Sequence, residues 1–139
     1  MTIQRIPGSL GLPFSTAVRV GHIWELSGQI GLDPATGRLV PGGVGPETKQ
    51  ALANIREVVE TVGSSMHDII KVGVFLVDIT DFDEMNDAYS SFFDTQDYPS
   101  RSAIGVSGLA LGAHVEIECT ALAPSRGSQE PQTLRERQP

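Results

Sequence analysis

The chain has 139 residues, a formal net charge of −7 at pH 7 and a pI near 4.8. That length suits one domain, and the acidic balance argues against nucleic acid or an anionic membrane as partner, since both require a clustered basic surface. The single cysteine, Cys119, excludes an internal disulfide, and no Cys/His group has zinc spacing, so no metal is expected.

Residues 1–13 read as a Gly/Pro-rich lead-in without an apolar signal core. No run is long enough to span a bilayer, so a soluble cytoplasmic protein is expected. The segments 16-TAVRV-20 and 23-IWELSGQIG-31 predict two strands around a tight Gly21-His22 turn. Residues 33–46 carry turn chemistry in Pro, Gly and Asp, and a helix is predicted from Pro46. Its apolar stripe is Leu52, Ile55, Val59 and Val62, and Gly63 supplies a stop. The β-branched run 69–79 predicts a buried strand. Thr80 or Asp81 can cap a second helix, with Asp83 and Glu84 in its first turn and Phe82, Met85, Tyr89 and Phe92 or Phe93 on its buried face. A short strand is predicted over 102–106. In 115-VEIECTALA-123, Val115, Ile117, Cys119 and Ala121 alternate with Glu116, Glu118 and Thr120.

The order ββαβαβ, with the further short strand, is an α+β pattern: two helices on one face of a mixed sheet. The other face then needs cover, and a second subunit of a cyclic homo-oligomer is the economical one. The domain is expected over 1–124, and the polar 125–139 as a disordered tail.

Arg101 follows a proline turn in 98-YPSRSAIGVSG-108. A guanidinium offers a planar fork that pairs bidentately with a carboxylate, so this residue can hold a small carboxylic acid; it can equally be a surface arginine or the ion-pair partner of Glu116 or Glu118. Glu116 and Glu118 share one strand face, which is either solvated or packed on another subunit; in the second case a carboxylate there can act as base toward water. Ser27 offers a hydroxyl and Gly28 permits close backbone approach, or the pair forms an ordinary bulge. Asn86 is either a helix-surface amide or a residue that holds a loop. His22, His67 and His114 are scattered among turns, no serine or cysteine has a local base, and 42-GGVG-45 is not a phosphate loop.

Taken together, 27-SGQIGLDPATGRLV-40, 51-ALANIREVV-59, 71-KVGVFLVDITDFDEMNDAYSSFF-93, 99-PSRSA-103 and 115-VEIECTA-121 resemble the YjgF/YER/RidA family of reactive-intermediate deaminases over about residues 7–123. The resemblance implies a chorismate-mutase-like fold, a homotrimer and ligand clefts between subunits. It implies hydrolysis of short enamines and imines, such as 2-aminoacrylate, 2-iminopropanoate and 2-iminobutanoate, to 2-keto acids and ammonia, without metal or organic cofactor. Arg101 falls on the family arginine that clamps the substrate carboxylate, and Glu116 on the glutamate that positions or activates water. Ser27 and Gly28 line the cleft, the backbone around Ala103 is the hydrogen-bonding edge, and Asn86 matches an asparagine near the site. Three positions depart from the pattern: Phe14 replaces a hydroxyl-bearing aromatic, Ala103 a frequent cysteine, and Leu109-Ala110 a Leu-Pro. Other readings are a trimeric keto-acid binder or chaperone with little turnover, and a pathway-specific deaminase of a larger enamine admitted by Phe14. A ribonuclease is disfavoured by the acidic charge and by the lack of a strip combining aromatic and basic residues.

Overall fold

The computed structural model describes residues 1–124, so the expected tail over 125–139 lies outside the described residues. Six strands form one sheet: β1 (Ile3–Pro7), β2 (Ser15–Val20), β3 (Ile23–Ile30), β6 (Ile69–Leu76), β7 (Ser100–Gly105) and β8 (Val115–Leu122). Their spatial order is β1-β2-β3-β8-β6-β7. Only β6 and β7 run parallel, which makes the sheet mixed. The parallel pair needs a crossover, and α2 (Phe82–Ser90) supplies it. The longer α1 (Val44–Thr61) packs on α2 and on β3 and β8, so both helices cover one face. A small hairpin, β4 (Leu32–Asp33) with β5 (Arg38–Leu39), stands apart.

The core follows the predicted stripes. Leu52, Ile55 and Val59 of α1 are fully buried against Trp24, Val72, Val74, Ile117 and Ala121 of the sheet. Burial of one such aliphatic side chain contributes about 1.5–3 kcal/mol. The expected alternation of β8 is observed, with Val115, Ile117, Cys119 and Ala121 buried and the residues between them half-buried or exposed.

Four expectations need correction. The lead-in is not all loop: Ile3–Pro7 pairs antiparallel with β2, and Ile6 packs on the core. Helix α1 starts at Val44, with Pro46 inside its first turn and Val62 already the C-terminal cap. The apolar run after residue 69 leaves the sheet after Leu76, because residues 79–81 form a 3₁₀ turn. Neither Thr80 nor Asp81 caps α2 through its side chain; Asp78 caps the preceding 3₁₀ turn instead, accepting from the Thr80 amide at 2.9 Å. Those two hydrogen-bond donors of Thr80, hydroxyl and amide, hold the Asp78 carboxyl below its ordinary range. Among the described residues, no helix is long and apolar enough to cross a membrane.

Candidate active site

Strand register decides which face each candidate occupies. Val72 opposes both Arg101 on β7 and Cys119 on β8, and opposed residues point to the same side. Val72 and Cys119 are buried under the helices, so Arg101 is on the helix-covered face. Phe75 opposes Glu116 and Ile104, which places Glu116 on the open face. Within one chain the two residues therefore stand on opposite sides of the sheet.

On the helix side, the Arg101 guanidinium is enclosed by α2. Its carbon lies 4.7 Å from the centre of the Tyr89 ring and 5.6 Å from that of Phe82, and Nη1 is 3.9 Å from Met85 Sδ. Among the described residues, no carboxylate lies within ion-pair distance of it. The alternative of a pair with Glu116 or Glu118 is thus not realised in this chain. A cleft of about 310 Å³ opens beside Arg101, lined by Asn86, Tyr89, Ser90, Tyr98 and Pro99. Asn86 Oδ1 and the Tyr89 hydroxyl are buried there without a hydrogen-bond partner among the described residues. A buried polar atom left unpaired costs about 1–3 kcal/mol, so the cleft is poor in protein partners and ready for a polar ligand. Burial pushes the Tyr89 phenol up to about 12, against the lowering influence of Arg101. Ala103 also faces the helices, half-buried against the core, and β7 is the last strand of the sheet, with one backbone edge unpaired.

The open face holds the second group. Leu26 opposes Cys119 and Gln29 opposes Ile117, so Ser27 and Gly28 share one position of β8 as a bulge. The bulge brings Gly28 against Glu116: a methyl added to Gly28 would lie 2.8 Å from the Glu116 carboxyl carbon. A side chain at this position would push the Glu116 carboxylate out of the place it occupies. The Ser27 hydroxyl donates to the Ser15 carbonyl at 2.6 Å, tying the bulge to the residue after Phe14. Phe14 itself is half exposed at the start of β2. Desolvation raises the Glu116 carboxyl above its ordinary range, and the like charge of Glu118 adds to the effect.

Two features were not visible as chemistry in the sequence. Phe82, Met85 and Tyr89 read as core residues, and only the docking of α2 beside β7 sets them around Arg101. Their helical spacing did signal a shared face. His114, taken as a turn residue, bonds a carboxylate of α1: its amide donates to Glu47 Oε1 at 2.8 Å, and its Nδ1 is 2.5 Å from Glu47 Oε2. Glu47 is only 2 % exposed. This pair fastens the start of β8, two residues before Glu116, to α1.

The fold and these two groups define a small α+β protein with an arginine unpaired among the described residues on one side of its sheet and a raised carboxylate on the other. Residues 7–123 match the family described as Endoribonuclease L-PSP. A 2-iminobutanoate/2-iminopropanoate deaminase from Bos taurus is 44 % identical over 122 residues, which are 88 % of each chain. The crystal structure of E. coli TdcF with bound serine superposes with a TM-score of 0.76 at 37 % identity, covering 85 % of this chain and 93 % of TdcF. That of a yeast protein gives 0.81 at 32 % identity, covering 88 % and 99 %. The chain belongs to the YjgF/YER/RidA family of reactive-intermediate deaminases.

Proposed function

We propose that the protein is a cofactor-free hydrolytic deaminase that converts short 2-imino acids and their enamine tautomers to 2-keto acids and ammonia. The deaminase relatives support the reaction, and the arginine, without a carboxylate partner among the described residues and beside an unsatisfied cleft, carries the substrate reading. Arg101 grips the substrate carboxylate through its planar fork. The imine carbon is electrophilic already, so the protein has only to orient it and a water molecule. Glu116, with its raised pKa, takes a proton from water as the oxygen adds to the C=N carbon. That proton goes to nitrogen to give the carbinolamine; Glu116 then takes the hydroxyl proton and passes it to nitrogen as the C–N bond breaks, so the carbonyl forms and ammonia leaves.

Because Arg101 and Glu116 stand on opposite faces, one chain does not assemble this site. The reading is therefore of a homotrimer in which Arg101, Asn86 and the Ala103 backbone of one subunit meet Phe14, Ser27, Gly28 and Glu116 of the next. The open face carries Glu25, Glu116 and Glu118, which supports a small ligand at a subunit seam and not a phosphate backbone; the cytoplasm is the expected compartment.

Mixed oligomers test this arrangement. Arg101→Ala and Glu116→Ala chains are each expected to be inactive toward imines made in situ by an amino-acid oxidase. Refolded together, they should regain activity, because some seams join an intact arginine to an intact glutamate. Mixed trimers that stay inactive would place both residues in one chain's site and overturn the shared cleft.

A further inference from the structure

We propose that Tyr89, together with Phe82, is a positioning residue for Arg101: the two rings hold the guanidinium in place without a carboxylate, so its charge is left for a ligand. The inference rests on the reading of Arg101 as the carboxylate clamp.

A long arginine side chain on the last strand of a sheet has many rotamers, and a clamp requires one. A neighbouring carboxylate would fix it, but would occupy the fork that the substrate needs. An aromatic face attracts the cation without using its N–H groups. The geometry is of the second kind. The rings of Tyr89 and Phe82 lie 4.7 Å and 5.6 Å from the guanidinium carbon, and no carboxylate among the described residues is within ion-pair distance. Both rings come from α2, at positions that share one helical face with Met85, whose sulfur is 3.9 Å from Nη1.

The Tyr89 ring is itself braced. It stacks on Phe93 at 4.9 Å, and Phe93 meets Tyr98 at 6.3 Å. The brace therefore runs from Arg101 through α2 to Tyr98, which also lines the cleft. It is the face of the Tyr89 ring that meets the guanidinium, while the hydroxyl has no partner among the described residues.

Tyr89→Leu, Tyr89→Phe and Phe82→Leu test the inference on the full-length protein, with melting temperature and oligomeric state measured in the same preparations. Two substrates are compared: a 2-imino acid, and an imine of similar size without a carboxylate. Tyr89→Leu is expected to raise KM for the imino acid about tenfold, with a smaller change in kcat and little change toward the neutral imine. Tyr89→Phe, which keeps the ring, should recover most of that loss. Phe82→Leu, on a half-buried residue, should show the same selectivity more weakly, and it serves if Tyr89→Leu fails to fold. Equal losses on both substrates would reduce Tyr89 to a packing role and overturn the proposal. So would a Phe variant as poor as the Leu variant, because the hydroxyl would then be the functional group. The clamp reading fails separately: Arg101→Ala that retains imino-acid hydrolysis would remove it whatever the Tyr89 variants do.

Discussion

The two faces of the sheet are built on opposite rules. The helix-covered face is mostly apolar, and at its β7 margin Arg101 is set among aromatic rings. The open face mixes apolar residues, among them Phe75, Ile104 and Leu122, with Glu116 and Glu118 on β8, Glu25 on β3 and Lys71 on β6, whose ammonium donates to Ser102 at 3.2 Å. Thr120 donates to Glu25 on the same face. One side thus holds Arg101 half-buried against aromatic rings, and the other holds Glu116 half-buried beside Gly28. The separation keeps the two from neutralising each other within a chain, so each remains available to a ligand. Charge held apart by a sheet is a simple way to keep an acid–base pair from collapsing into an internal salt bridge.

The largest effect should come from the cation. Arg101→Ala is expected to lower kcat/KM for imino acids about a hundredfold or more, the factor for a loss of about 2.7 kcal/mol. Arg101→Lys should also be poor, since a point charge cannot reproduce the fork. Because Arg101 has no ion-pair partner among the described residues, the melting temperature should change little. An early loss of stability and assembly would show a structural arginine, and the contrast between the faces would break there.

The next effect belongs to the joint between the faces. Glu47→Ala leaves the His114 amide without its acceptor, and should cost about 1–3 kcal/mol of stability, read in denaturant unfolding. Glu47→Gln keeps an acceptor oxygen and should cost less. If activity in Glu47→Ala falls no further than the folded fraction, the joint supports stability alone and does not position Glu116.

A smaller change is expected at Phe14. In the proposed cleft Phe14→Tyr would add a hydroxyl to the half that carries Glu116, and a typical hydrogen bond contributes about 0.5–1.5 kcal/mol. Turnover of the smallest imine should rise by up to about tenfold. An unchanged or lower rate in an intact oligomer would show that the missing hydroxyl is no handicap.

The smallest effect sharpens the account of the open face. The folded protein raises the Glu116 carboxyl above its unfolded value, so the folded state holds the proton more tightly. That contribution to stability is complete below the unfolded carboxylate range, and is lost as pH rises through the folded value. Glu116→Gln should therefore melt slightly higher than the parent at neutral pH, with the difference shrinking as pH falls through the carboxylate range. A difference that persists unchanged at low pH would mean that ionisation of Glu116 is not its source.

Much of this was legible in the sequence because it depends on local period. The alternation of β8 fixed which glutamates leave the core, and the stripe of α1 fixed Leu52, Ile55 and Val59. Gly28 was legible as a close approach, though not what approaches it. What could not be read depends on register between distant segments. That Arg101 and Glu116 face opposite ways follows from both strands opposing β6, and no local pattern in 98–108 or 115–123 encodes that alignment. β1 was missed for a related reason: its five residues are short, mostly exposed and end in proline, and pairing with β2 makes them a strand. Nothing in the sequence singled out Glu47, because its partner lies 67 positions away.

The strand order also has a kinetic side. The crossover that delivers Arg101 closes over short distances, as in the Lys71–Ser102 contact across 31 positions, whereas Glu25 and Thr120, which join β3 to β8, are 95 apart. By chain-closure entropy alone the longer loop costs about 1 kcal/mol more. The arginine half should therefore form early, around the β6–α2–β7 unit, and the bulge beside Glu116 should form only when the ends of the domain meet. A nascent chain would then carry a formed cation cradle before it has a carboxylate to complement it, and the growing protein would present its anion-binding side first.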